Sequence, residues 1–297
     1  MQDPLVLLDE IEHGRDAILA AKKLLVALAA AALASCAHQV REHPLTGKIW
    51  DARAAAFVST DPLFERASRA RHVILGEIHD NPEHHRLQRV VLESLAARGG
   101  PRLLAMEQFD SEHQAAIDAA RASGADAEAL ADAGHFDRKG WGWPLYRPLV
   151  QFALESGWPL VAANLSRTEA RALVADPGRS ELAPAAPSVR GALERDIIDG
   201  HCGAAPEPKR LGGMVEAQRA RDARMASVLK ERSVLIAGSG HARRDRGVPL
   251  YLAADEVLSI AFVEVEPGMA RPQDFADAAS YDYLWFTPRA ARDDPCS

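Results

Sequence analysis

The run His72-Val73-Ile74-Leu75-Gly76-Glu77-Ile78-His79-Asp80-Asn81-Pro82-Glu83-His84-His85-Arg86-Leu87-Gln88 changes its periodicity once, at Gly76. Before the glycine it is continuously apolar, as a strand buried on both faces requires. After it, Asp80 and Asn81 are candidate caps and Pro82 suits a first helical turn. Leu87, Val91 and Leu95 then recur at helical spacing until Gly99 and Gly100 stop the segment. The alternation repeats downstream: strand 102–106, helices 111–123 and 144–156, strand 159–163 and helix 168–175. A long helix over 213–230 leads to strand 234–237, and terminal strands follow near 257–265 and 283–286. Strands and helices in alternation predict an α/β fold, a single domain over 61–297 with a mostly parallel central sheet flanked by helices. Residues 176–211 carry five prolines and read as a helical and irregular excursion covering the carboxyl edge of the strands.

Upstream, Lys22 and Lys23 precede ten apolar residues, Leu24 to Leu33, and then Ala34-Ser35-Cys36. Spanning a bilayer takes about 20 apolar residues, so this is a signal peptide rather than a membrane helix. Leu33-Ala34-Ser35-Cys36 has the form of a lipobox, which makes Cys36 the lipid-attachment site. Residues 1–36 are therefore read as an upstream extension plus signal peptide. Residues 37–60 are read as a tether leading into a short helix around Ala52–Val58.

The 297 residues carry a formal charge of −7. Five acids and three bases leave with residues 1–36, so the mature chain stands at −5. With a pI near 5.9 and no basic stripe, the charge footprint of a nucleic-acid binder is missing. Three cysteines are too few for a disulfide scaffold. In an oxidising compartment Cys202 and Cys296 are available to pair, subject to a geometry that sequence does not reveal.

One short motif occurs twice, as Gly76-Glu77-Ile78-His79 and Gly238-Ser239-Gly240-His241, each directly after an apolar strand. Ligands of open α/β sheets bind outside the carboxyl ends of the strands. Both histidines are therefore expected at that edge, with the glycines allowing sharp turns there. Glu107 and Asn164 follow two other strands, so Glu77, His79, Glu107, Asn164 and His241 are expected around one crevice. Two imidazoles and two carboxylates suit either a divalent metal held by His79, His241, Glu77 and Glu107, or water activation by general-base catalysis. His84, inward on its helix, His201 in the excursion and Arg221 on the long helix are further candidate pocket residues. Trp141-Gly142-Trp143-Pro144-Leu145-Tyr146 reads first as aromatic packing at a helix start. Its second reading is a flat platform for a macrocycle, with Tyr146 as iron ligand.

The 75–88 run closely resembles the ChaN-like haem-binding lipoproteins, of the superfamily that includes TIKI/TraB proteins and erythromycin esterases. Met106-Glu107-Gln108-Phe109, Trp143–Leu149, Ala217–Asp222 and Gly238–Arg243 agree with the same family, and the likeness runs from about residue 45 to 287. The resemblance implies a lipid-anchored protein on the periplasmic face of the outer membrane, serving iron or haem uptake. It implies haem held at a homodimer interface by a tyrosine. No local motif chooses among Tyr146, Tyr251, Tyr281 and Tyr283, and Tyr146 is the preferred candidate. In enzymatic relatives the paired Gly-x-x-His histidines and nearby glutamates bind metal or activate water. That carries over to Glu77, His79, Glu107 and His241, and leaves a metal-dependent or water-activating hydrolase as the alternative function.

Overall fold

The computed structural model describes residues 43–99, 102–275, 277–293 and 296. The expected signal peptide, the expected lipid-attachment site Cys36 and residues 37–42 lie outside the described residues. Eight strands form one sheet: β1 (Ile49–Asp51), β2 (Ala56–Val58), β3 (His72–Glu77), β4 (Leu103–Asp110), β5 (Leu160–Asn164), β6 (Ser233–Gly238), β7 (Val257–Glu264) and β8 (Tyr283–Thr287). Their order is β2-β1-β8-β7-β3-β6-β4-β5. The six strands from β8 to β5 are parallel, and the β1–β2 hairpin adds an antiparallel edge.

Alternate residues of the parallel strands point to opposite faces, and each face builds its own core. Leu75, Met106, Ile236 and Ile260 join one apolar cluster, whereas Ile74, Ala105, Leu235 and Ala261 join the other. The first cluster is covered by helices α1 (Thr60–Arg69), α2 (Pro82–Gly99) and α5 (Trp143–Glu155) through Leu63, Val91, Leu95 and Leu149. Helices α3 (Gln114–Ala122) and α4 (Ala127–Ala133) add Ile117 and Leu130 to that side. The second cluster is covered by α8 (Pro208–Val228) through Met225 and Ala226. Between them in sequence lie α6 (Arg167–Ala175) and, within the excursion over 176–211, α7 (Pro187–Gly200). A short turn, α9 (Ser239–Ala242), follows β6.

Two expectations about the chain's beginning give way. Residues 49–58 are not a tether with a helix over 52–58. They form the β1–β2 hairpin, and Leu45, Ile49 and Trp50 are buried. The cause is long-range: Trp50 pairs with Leu284, more than two hundred positions away, and a three-residue strand leaves no periodic trace. The helix begins later, at Thr60.

Cys202 and Cys296 form a disulfide with Cα atoms 5.4 Å apart, a separation that suits the bond. It ties the end of the chain to the turn after α7.

Candidate functional site

Three neighbouring parallel strands, β3, β6 and β4, carry the site at their carboxyl ends. From β3 come Glu77 and, two residues on, His79; from β4 comes Glu107; β6 leads through Gly238 into α9, which holds His241. Neither glycine of the repeated motif adopts a positive φ, so the expected reason for them, a sharp turn, is wrong. They are needed for close approach. A Cβ on Gly76 would come within 2.7 Å of the Ala242 Cβ, and one on Gly238 within 3.0 Å of His79 Nε2.

Glu77 is buried and surrounded by donors. Its Oε1 accepts hydrogen bonds from the Tyr146 hydroxyl, from His79 Nδ1 at 2.9 Å and from Gln108 Nε2 at 3.3 Å. Its Oε2 accepts from Gln88 Nε2 at 2.5 Å and lies 3.4 Å from His85 Nδ1. With its lone pairs committed, this carboxylate orients His79. The His79 side chain is 40% exposed, is flanked edge-on by Trp141 at 4.7 Å between ring centres, and turns Nε2 towards Gly238. Burial works against a charged His79, but the bond to Glu77 and the Glu107 charge outweigh it and raise its pKa.

The second half is more deeply buried. His241 Nδ1 lies 2.6 Å from Asp222 Oδ1, its Nε2 lies 3.4 Å from Glu107 Oε1, and the Gln218 amide nitrogen rests 3.3 and 3.2 Å from the two ring nitrogens. Burial opposes its charge, yet Glu107 and Asp222 together raise its pKa to about 10, so at neutral pH it is an imidazolium. Glu107 shows the reverse. Burial is outweighed by His241, His79 and the Gly238 N–H, donated at 2.7 Å, and its pKa falls to about 2. Asp222 responds differently: burial pushes its carboxyl up despite the bond to His241. Glu107 and Asp222 are together the counter-ions of His241.

The expected crevice thus gathers Glu77, His79, Glu107 and His241. The metal reading of that set gains no support. Among the described residues, no three His, Cys, Asp or Glu side chains are arranged to hold one ion. The physical reason is that Glu77 is saturated by protein donors and Glu107 is committed to Gly238 and an imidazolium.

Four other expected residues fall in different places. His84 is a correction: fully buried, it accepts the Ile78 N–H on Nδ1 at 2.9 Å and meets Thr287 Oγ1 through Nε2 at 2.9 Å. It pins the turn after β3 to β8 instead of facing a pocket, and burial lowers its pKa to about 4. His201 is exposed at the end of α7, with Nδ1 bonded to the Ile197 carbonyl at 2.7 Å. Asn164 is buried at the end of β5, with its Oδ1 unpartnered. Arg221 is half-buried on α8 and lines a cleft on the side of that helix facing α6 and α7.

Tyr146 requires the largest revision. It is fully buried, donates its hydroxyl to Glu77 and packs against His85 and Phe136. Burial and the adjacent carboxylate raise its pKa strongly, and no ligand reaches its oxygen. The aromatic run is core packing, the first of its two readings. Sequence reasoning passed over Asp222, Gln218, His85, Gln88 and Gln108 as site residues. Gln218 and Asp222 were traceable as an i, i+4 pair on one helix face, and Gln108 as the neighbour of Glu107.

A buried Glu/His centre at the carboxyl edge of a parallel sheet defines the class: an α/β protein with a polar site at the strand ends. The chain belongs to the family described as haem-binding uptake, Tiki superfamily, ChaN, which matches residues 63–252. Among solved structures it is similar to ChaN of Campylobacter jejuni, described with cofacial haem binding, at 25% identity over 80% of this chain and 95% of that one, with a TM-score of 0.69. It is also similar to erythromycin esterase EreC in its open conformation, at 12% identity over 85% of this chain and 99% of that one, with a TM-score of 0.45. A search of curated proteins found no match.

Proposed function

We propose that this protein is a haem-binding lipoprotein of the cell envelope, anchored by lipid at Cys36 on the periplasmic face of the outer membrane. The family match over residues 63–252 carries the reading. The Cys202–Cys296 disulfide supports an oxidising compartment. Among the described residues no helix is long and apolar enough to cross a membrane.

The residues present fit ferric haem at one tyrosine. Bound haem would supply an iron with an axial position open to an oxygen donor. Tyr146, Tyr281 and Tyr283 are buried, whereas Tyr251 is half-buried. Burial and the Asp222 charge raise the Tyr251 pKa, and the adjacent Arg219 guanidinium offsets part of that rise. Arg219 is held in place by Glu216 at 2.7 Å and by the Ala183 carbonyl. Next to Tyr251, Leu250 is 48% exposed. Tyr251 thus replaces Tyr146 as the proposed axial ligand, in a homodimer.

The test is a haemin titration of residues 37–297 followed by absorbance and sedimentation. A saturable Soret shift with dimerisation is expected, together with a changed spectrum for Tyr251→Phe and an unchanged one for Tyr146→Phe. A spectrum indifferent to Tyr251→Phe removes that ligand, and the absence of saturable binding removes haem.

A second reading, hydrolysis, rests on one observation. His79 is held by Glu77 through Nδ1 with its side chain 40% exposed, while the imidazolium of His241 stands across the same centre as a fixed positive charge. That pair suits water activation at His79 Nε2 with anion stabilisation at His241. Turnover of aryl esters, abolished by His79→Ala, is its expected sign. No turnover above the buffer rate would dismiss it.

A further inference from the structure

Beside the Glu/His centre, a cleft of about 790 Å³ opens between α6, α7 and α8. Its walls have two chemistries. Val174, Ile197 and Met214 make an apolar surface, and Arg167, Arg171, Lys209, Arg210 and Arg221 set five cations around it. Glu207 is the single acid in the lining, and it caps α8 by accepting the Arg210 backbone N–H at 3.1 Å. Arg167 is paired with Asp137 at 2.6 Å. Among the described residues, no carboxylate lies within ion-pair distance of the other four cations.

This concentration stands out on a chain whose formal charge is −7. Like charges crowded together raise one another's energy unless an anion joins them. Arg221 adds an independent sign: its Nε is buried and has no hydrogen-bond partner. An unpaired buried donor costs about 1–3 kcal/mol, more when charged, so such a group is normally satisfied by something. The far wall of the cleft is Gln218, whose amide lies against the His241 ring. The cleft and the buried centre therefore share Gln218.

We propose that this cleft is a binding site for a small amphipathic anion, an apolar body bearing a carboxylate or phosphate. The anionic group pairs with Arg221, Arg171, Lys209 and Arg210, and the body lies on Val174, Ile197 and Met214. None of the four tyrosines lines the cleft, so the site is independent of axial ligation to iron.

The test is a fluorescence titration of the full mature chain with 1-anilinonaphthalene-8-sulfonate, an apolar anion, competed by octanoate and by octyl phosphate. One saturable site is expected, with affinity falling at least tenfold in Arg221→Met and at least threefold in the double variant Lys209→Gln/Arg210→Gln. Lys209 and Arg210 are exposed, so the double variant carries the test if Arg221→Met does not fold. Arg271→Gln, which removes an exposed cation elsewhere, is expected to leave the affinity unchanged. The competitor that displaces the probe names the head group. The proposal is overturned if binding does not saturate, if neither competitor displaces the probe, or if Arg271→Gln weakens binding as much as the cleft variants do.

Discussion

Replacing Glu107 with glutamine removes one charge from the centre and leaves its shape. The amide oxygen of the glutamine still accepts the Gly238 N–H that Glu107 now receives at 2.7 Å, so the loss is chiefly electrostatic. The rise of the His241 pKa from 6.5 to about 10 corresponds to about 5 kcal/mol in favour of the imidazolium. Two carboxylates share that effect. With about half of it assigned to each, Glu107→Gln is expected to cost about 2–3 kcal/mol of folding stability. The cost depends on pH in a defined way. The folded pKa of Glu107 is depressed from 4.5 to about 2, so its contribution is present above about 4.5 and is lost as pH falls towards 2. The folded pKa of His241 is raised, so its contribution is complete below about 6.5 and is lost as pH rises through about 10. The difference between the two proteins therefore peaks between about pH 4.5 and 6.5 and shrinks on either side. Urea unfolding of both proteins at pH 3, 5.5 and 10 measures it. A difference that is the same at all three values, or below about 0.5 kcal/mol at pH 5.5, refutes the ion-pair account of this centre.

Other outcomes follow from neighbouring features. Reducing the Cys202–Cys296 disulfide, whose cysteines stand 94 positions apart, is expected to lower stability by about 4–5 kcal/mol on a chain-entropy basis, read as a drop in the urea midpoint. His84 is neutral in the fold, with its pKa held at about 4, so the wild-type protein loses up to about 3 kcal/mol as pH falls from 6.5 to 4. In His84→Gln that part of the acid dependence disappears, and parallel unfolding curves at pH 7 and 4.5 show whether it does. A methyl group at Gly213 would lie 2.3 Å from the Val174 carbonyl oxygen, so Gly213→Ala is expected to part α6 from α8 and lower stability by about 1–3 kcal/mol, measured by thermal unfolding. Tyr146→Phe takes one donor from the buried Glu77 carboxylate and is expected to cost about 1–3 kcal/mol while leaving haemin absorbance unchanged.

Much of the architecture was legible because it is written locally. The switch from a continuous apolar run to helical spacing at Gly76 predicts β3 and α2, and its repetition predicts the parallel sheet; that sheet in turn places Glu77, His79, Glu107 and His241 at one edge. The opening hairpin was not legible, since β1 holds three residues and its register is set by β8, far along the chain. The same limit governs the site. Sequence named the residues at the strand ends, but their partners Gln88, His85, Gln108 and Asp222 arrive from helices and strands whose approach is decided by packing.

By itself the sequence determined the order of strands and helices, the motif repeated at two strand ends and the family resemblance. Only the tertiary structure decided which groups are accessible and which are charged. Tyr146 is turned into the core as a donor to Glu77 while Tyr251 keeps a solvent face, and His84 becomes a neutral pin while His241 becomes an imidazolium. The reason is that exposure, and the charge state of a buried group, depend on neighbours brought together by long-range packing, which a single stretch of chain does not contain.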